Sequence, residues 1–214
     1  MSGYGKISGE CFFNAKRFYA ALVCLNIQNL PFFVVPLIPI PAIQQNLPAP
    51  QVLQQYQFIR DRIVNVSNQQ INDPEAFALF KELGGDQTII TYMYNDYNAD
   101  GTPTGSMQAI NDFNNAIYTA FSFKPYEKHT EETPIVVTSS QFTRSNNGNV
   151  LMDDLRKRLG VNGNDGYNDP INFIISTIMN PWLSNTVNGS FIPTLINIII
   201  QNVSQIASFR KLQS

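Results

Sequence analysis

Side chains able to do chemistry near neutral pH are scarce in this sequence: one histidine and two cysteines in 214 residues. His129 stands in the run Tyr126-Glu127-Lys128-His129-Thr130-Glu131-Glu132, whose polarity reads as a solvated loop. A metal site or a Ser/His arrangement there would need partners brought in from elsewhere in the chain. Cys11 and Cys24 match no metal or redox spacing and are too few for a disulfide framework, so they read as two half-buried thiols on one helix. Asp96-Tyr97-Asn98-Ala99-Asp100-Gly101 matches the first half of a calcium loop, D-x-N-x-D-G. The twelfth position should supply a bidentate Glu and is Met107, and the segment follows a strand where a calcium loop follows a helix, so it reads as a turn. Gly3-Tyr4-Gly5-Lys6 lacks the preceding strand and the spacing of a phosphate cradle. Arg60-Asp61-Arg62 and Arg156-Lys157-Arg158 read as solvated helix faces. Residue types and spacing therefore give no self-sufficient catalytic set, no metal site and no cofactor-binding site.

The elements that would position any site follow from hydrophobic period and punctuation. Ile7, Cys11, Ala15, Phe18, Leu22 and Leu25 repeat at helical spacing, and Asn29-Leu30-Pro31 stops that helix. Phe32 to Ile38 reads as a strand; Pro36, Pro39 and Pro41 restrict it to an edge or extended segment. Val52, Tyr56, Ile59, Ile63 and Val66 restart a helical period. A third helix is bracketed by Asp73 as N-cap, Pro74 at its first position and Gly84-Gly85 beyond its end. Thr88–Tyr94 is β-branched and aromatic and reads as a strand. Met107, Ile110, Phe113, Ile117 and Phe121 mark a helix, Ile135–Phe142 a strand, and Val150–Leu159 a helix closed by Gly160. Phe173–Met179 is a strand stopped by Asn180-Pro181, and Ile192 to Ile206 a final apolar helix. Such interleaving predicts an α/β layer fold with a small sheet of about four strands packed against helices. No repeat or linker forces a boundary, so residues 1–214 read as one domain with a Pro-rich and helical insertion at about 31–84.

Apolar residues make up 43% of the chain, enough for a sizeable core, while only 14% are charged and the net charge is −2. That balance argues against a nucleic-acid partner, which needs a basic face. The most apolar stretch, Pro31 to Ile43, holds four prolines and is shorter than the about 20 residues of a bilayer span. No basic segment followed by an apolar one opens the chain, so the sequence predicts a cytoplasmic protein without a membrane partner. On that reading the Asn-x-Ser triplets at Asn65, Asn188 and Asn202 are products of an Asn-rich composition. Low charge, with aliphatic runs at Phe32 to Ile43 and Phe191 to Ile200, predicts that part of the surface is covered by a partner.

A resemblance enters at this point. Gly3-Tyr4-Gly5-Lys6-Ile7 ahead of a long helix, Leu83-Gly84-Gly85-Asp86-Gln87-Thr88-Ile89-Ile90, and the turn residues Tyr94-Asn95-Asp96-Tyr97 with Asp100-Gly101 follow one another in a characteristic order. Ala109-Ile110-Asn111-Asp112-Phe113-Asn114 with Ile117-Tyr118, Pro134 to Ser140, and Phe173 to Met179-Asn180-Pro181 continue it. Over nearly its whole length the chain resembles the C-terminal small domain of group II pyridoxal-phosphate-dependent amino-acid decarboxylases, of the tyrosine and aromatic amino-acid type. The resemblance rests on order and turn chemistry.

The resemblance implies the C-terminal domain of a fold-type I pyridoxal-phosphate enzyme, an α/β fold with a small, mostly antiparallel sheet of about four strands packed against helices, capping an active site and supporting dimerisation. The cofactor lysine of such enzymes follows a histidine in a large domain. Here the lysines are Lys6, Lys16, Lys81, Lys124, Lys128, Lys157 and Lys211, and none follows a histidine. The resemblance thus implies a chain that binds no pyridoxal phosphate alone, is not catalytic alone, and partners a large cofactor-binding domain or forms a homo-oligomer. It also implies an arginine on the last strand to hold a substrate carboxylate. By register from Asn180-Pro181 that position is Ile175, with Thr177 on the substrate side. The alternative is an orphan non-catalytic binding or assembly module derived from such a domain.

Overall fold

The computed structural model describes residues 3–122 and 135–213. His129, with Tyr126 to Glu132 around it, lies outside the described residues. Helix α1 runs Tyr4–Val23 and continues as a 3-10 turn, Cys24–Ile27. Strand β1 is Phe32–Pro36, followed by a one-turn helix α2 (Pro41–Gln44), α3 (Ala49–Ile59) and α4 (Pro74–Glu82). Then come β2 (Ile89–Asp96), α5 (Met107–Ala120), β3 (Thr138–Phe142), the one-turn α6 (Arg144–Asn147), α7 (Asn149–Leu159), β4 (Ile171–Thr177) and α8 (Ile192–Gln213). The expected order of helices and strands is the observed one, with α2 and α6 added. The strands form one open antiparallel sheet in the order β1-β2-β4-β3.

The boundaries of three strands and of one helix differ from the expected ones. β1 ends at Pro36, before the expected Ile38; Pro36 has no N–H to give the ladder, and one further bond, Leu37 N–H to Thr91 O at 2.9 Å, follows it. β3 starts at Thr138 rather than Ile135, and β4 spans Ile171–Thr177 rather than Phe173–Met179. The helical period from Val52 to Val66 is broken: α3 stops at Ile59 and a π-turn takes Arg60–Val64.

Contacts divide the chain into two compact units, each built from three segments. The first holds Met1–Asn29, Ile38–Ile90 and Thr177–Asn197. Its core is the C-terminal half of α1 (Ala15, Phe18, Tyr19, Leu22) against Ile59, Ile63, Ile71, Phe80 and Leu83, all buried. Arg17, buried on α1, donates to the carbonyls of Ile63 and Val66 and so terminates the π-turn. Asp73 caps α4 through Ala76 N–H at 3.1 Å, as its place before Pro74 predicts. Gly84 has φ +63 and lies against the Tyr19 ring, where a Cβ would come within 3.3 Å.

The second unit holds Leu30–Leu37, Thr91–Ser176 and Ile198–Ser214, and it contains the sheet proper. β1 pairs with β2 in the register Val35↔Met93, and β3 with β4 in the register Ser140↔Phe173. Alternation then sends Val35, Met93, Phe142, Ile171 and Phe173 to one face, where Met152, Leu155 and Leu159 of α7 cover them. Gly160, with φ +79, ends α7 in the left-handed conformation expected of it.

Much of the expected apolar surface is internal. Phe32, Val34, Val35, Ile40 and Ala42 are buried, and along α8 a single stripe is buried: Ile192, Ile196, Ile199, Val203 and Ala207. Proline-broken aliphatic runs become core when each short piece faces a neighbour. Among the described residues α8 is the one helix long and apolar enough to cross a bilayer.

Candidate functional site

β4 is the strand on which the sequence places substrate-side residues, and its β-branched run forms as a buried strand should. Ile175 pairs with Thr138 of β3 and packs half-buried against the α7-facing cluster. Its side chain offers no donor, so nothing at this position can hold a carboxylate. Thr177, the last residue of the strand, is exposed to solvent.

The other face of the strand carries polar chemistry that the sequence reading did not single out. The Ser176 and Tyr92 hydroxyls are 2.7 Å apart and both buried. Tyr94, two residues along β2, lies edge-on to Tyr92 with ring centroids 5.5 Å apart and is hydrogen-bonded to it through its phenol. Burial pushes the Tyr92 phenol up to about 12 and that of Tyr94 well above its ordinary value. Both phenols are therefore neutral across the physiological range and act as hydrogen-bonding groups rather than bases. A Thr/Tyr-rich strand signals β-structure, and period two is the one signal that could have placed both tyrosines on one face.

At the end of β2 the carboxylates of the candidate calcium loop are taken up by protein donors. Asp96 Oδ1 accepts from Thr104 Oγ1 at 2.6 Å, and Oδ2 from Arg210 Nε at 3.3 Å. Asp100 accepts from Thr102 N–H and Oγ1, bonds that hold its carboxyl below the usual range. These oxygens serve the turn, in keeping with the reading of this segment as a turn. Among the described residues no three His, Cys, Asp or Glu side chains gather where they could hold a metal ion.

Asparagines and arginines do the positioning. On α5, Asn114 accepts from Tyr94 N–H at 2.9 Å and donates to the carbonyls of Tyr94 and Ile110 at 2.8 Å. Asn111, one turn earlier, donates to Pro170 O and accepts from Asn172 N–H, fixing the start of β4. Asn95 donates to Thr104 O and Leu159 O. The expectation of a solvated face at Arg156-Lys157-Arg158 is corrected for two of the three residues. Arg156 is buried and donates to the carbonyls of Gly163, Asp165 and Gly166, while Arg158 donates to those of Pro36 and Leu37. A guanidinium carries five donors and can leave water when backbone carbonyls receive them. Lys157 is exposed as expected, and Arg60 and Asp61 pair with each other at 2.7 Å on the surface.

The thiols are also corrected: both are buried rather than half-buried, because α1 packs on more than one side. Cys11 Sγ donates to Met179 O, and burial pushes the Cys24 thiol up to about 12, far from a reactive thiolate. Nearby, Asn14 donates to Asn180 O at 2.9 Å and accepts from Ser184 Oγ, which receives the Asn68 amide at 2.9 Å. This chain of amides holds the Met179-Asn180-Pro181 stop.

The amine best shielded from solvent among those with described partners, Lys16, gives its three donors to Lys81 O, Leu83 O and Asp86. The guanidinia of Arg17 and Arg156 are likewise committed to backbone carbonyls. No step of cofactor chemistry is derived for this chain. No protein-family model matches this sequence, and no curated protein matches it either.

Proposed function

We propose that this chain is a decarboxylase-like C-terminal small domain that does no chemistry alone. It would cap the active site of a larger pyridoxal-phosphate-binding polypeptide, support its dimerisation, and help exclude water from the reacting centre. Residues 3–7, 83–90 and 177–181 of the resembling segments lie in the first unit, and one observation carries this reading: the rest, on β2, α5, β3 and β4, lie together in the second unit. Within it Asn111 and Asn114, both in the resembling α5 segment, fix α5 to the strands.

The second reading, an orphan binding or assembly module, is favoured by one residue. Ile175 stands where the resemblance implies a carboxylate-holding arginine, and an aliphatic side chain there removes a substrate contact rather than altering it.

The test is co-expression with the product of the adjacent reading frame. A neighbour with a His-Lys pair that forms a stoichiometric complex, and gains lyase activity with this chain present, supports the capping role. A neighbour without that pair leaves only the module. Pyridoxal phosphate added to the chain alone should give no absorption band of a lysine-bound cofactor, and a robust band would overturn both readings.

A further inference from the structure

Three asparagines in this chain precede a glycine: Asn147-Gly148, Asn162-Gly163 and Asn188-Gly189. Such a pair is chemically labile, because a glycine nitrogen is unhindered enough to attack the side-chain carbonyl before it. By sequence the three pairs are alike, and the fold separates them. Gly148 N–H donates to Arg144 O at 3.0 Å, and Asn147 Oδ1 accepts from Thr143 N–H at 3.0 Å. Gly189 N–H donates to Thr186 O at 3.0 Å, and Gly189 O accepts from Thr186 N–H at 2.9 Å, closing a tight turn around Asn188. Both of these nitrogens must leave a hydrogen bond before they can react. Asn162 and Gly163 lie exposed in the loop after α7. Asn162 N–H donates to Gly105 O at 2.9 Å, and Asn162 O accepts from Asp165 N–H at 3.0 Å. Gly163 O accepts from Arg156 at 3.3 Å. Gly163 N–H alone of these main-chain groups has no acceptor among the described residues. The Asn162 side-chain amide lies against the bare Cα of Gly105, where a Cβ would collide with Nδ2, and it too makes no hydrogen bond among the described residues.

We propose that Asn162 is a site of spontaneous modification, where the side-chain amide is exchanged for a carboxylate through a cyclic imide formed with Gly163. Gly163 N gives up its proton and attacks Asn162 Cγ. The new N–Cγ bond replaces the Cγ–Nδ2 bond, and the amide nitrogen leaves with that proton as ammonia. Water then opens the ring. Cleavage of the N–Cγ bond gives aspartate on an unchanged main chain, whereas cleavage at the main-chain carbonyl gives isoaspartate. One water is consumed, one ammonia is released, and nothing is oxidised or reduced. The new carboxylate stands in the same turn as Asp165, whose Oδ2 accepts from Met107 N–H at 2.7 Å at the start of α5. The isoaspartyl form also lengthens the main chain by one carbon, just ahead of the Gly163, Asp165 and Gly166 carbonyls that hold Arg156. Both changes fall on the loop that fixes Arg156 of α7 and the first turn of α5. This inference rests on that loop and stands apart from the decarboxylase reading.

The full chain is incubated in mildly alkaline buffer, folded and, in parallel, unfolded in guanidinium chloride. Peptides are mapped by mass spectrometry, and the mass gain of amide-to-acid conversion is assigned to its residue by fragmentation. Isomerisation at Asp165-Gly166 leaves the mass unchanged and is not counted. A backbone hydrogen bond that must open before reaction slows it by up to roughly tenfold. In the folded protein Asn162 should therefore convert roughly tenfold faster than Asn147 or Asn188, and in denaturant the three rates should converge. The Asn162 rate should rise with pH, because Gly163 N has to lose its proton. Asn162→Ser should abolish the fast phase of ammonia release, and Asn188→Ser should leave it intact. The comparison among the three pairs is made within the wild-type chain, so it does not depend on a variant folding. Equal rates in the folded protein, a faster conversion at Asn147 or Asn188, a ranking that persists in denaturant, or a rate indifferent to pH would each overturn the inference.

Discussion

Replacing Asn114 with alanine should cost this fold more than its surface-like residue type suggests. Asn114 is 1% exposed and makes three hydrogen bonds, two of them to the N–H and C=O of Tyr94 in the middle of β2. Tyr94 is itself buried, so the truncation leaves a backbone donor and acceptor without partners in a dry site. Each such group costs about 1–3 kcal/mol, and the space vacated by the amide adds to it, so a loss of roughly 3 kcal/mol or more is expected. For a protein of this size that is a sizeable share of total stability. The assay is equilibrium urea unfolding followed by far-ultraviolet circular dichroism. Amide hydrogen exchange at Tyr94 serves as the local probe. Asn114→Asp keeps the acceptor for Tyr94 N–H but loses both donated bonds, so it should protect the Tyr94 amide without restoring stability. Asn115→Ala, one residue on and exposed, should cost under about 0.5 kcal/mol. A loss below about 1 kcal/mol for Asn114→Ala, with Tyr94 exchange unchanged, would refute the claim that this side chain replaces a strand partner.

Three other outcomes are expected. Arg210→Met should destabilise by about 1–3 kcal/mol because it strands the buried Asp96, and adding Asp96→Asn should recover part of that loss in a double-mutant cycle; strict additivity would sink the pairing. Gly160→Ala should lower the melting temperature, since a Cβ at its φ of +79 would fall within 2.8 Å of Pro103 Cβ; an unchanged melting temperature would count against that close approach. Stability should also decline at alkaline pH. Burial raises Cys24 from 9.0 and Tyr92 from 10.0 to about 12, so the folded state holds protons that the unfolded state has released. Their contribution is complete below pH 9 and fades toward pH 12, at about 1.4 kcal/mol per unit for each group. Tyr92→Phe should flatten the decline above pH 10, and an unfolding free energy constant to pH 12 would count against the buried phenol.

The order of elements was legible in the sequence because the signals are local. Asp73-Pro74 caps a helix by supplying an acceptor and a fixed φ, and Gly160 ends one by tolerating a positive φ. The four strands followed from period and punctuation, as did the turn at Asp96–Gly101, whereas their antiparallel pairing was what the resemblance implied. The strand that carries Ile175 and Thr177 was legible, with its start and end shifted by two residues. Long-range partners were not legible. Nothing local in Arg156-Lys157-Arg158 separates the two guanidinia that donate to carbonyls from the amine that stays in water. Equally, Asn111 and Asn114 read as ordinary helix residues until α5 lies beside β2 and β4.

The sequence by itself determined which segments become helix or strand, because capping, chirality and hydrophobic period act within a few residues. Only the tertiary structure decided where the polar groups go. Two tyrosines and a serine become one buried hydroxyl cluster, and Cys24 becomes inert, through desolvation by residues distant in sequence. It also decided which apolar residues remain outside. The proline-rich aliphatic run is core because each piece meets a neighbour, while Tyr4, Ile7 and Trp182 stay exposed because no described part of the chain reaches them.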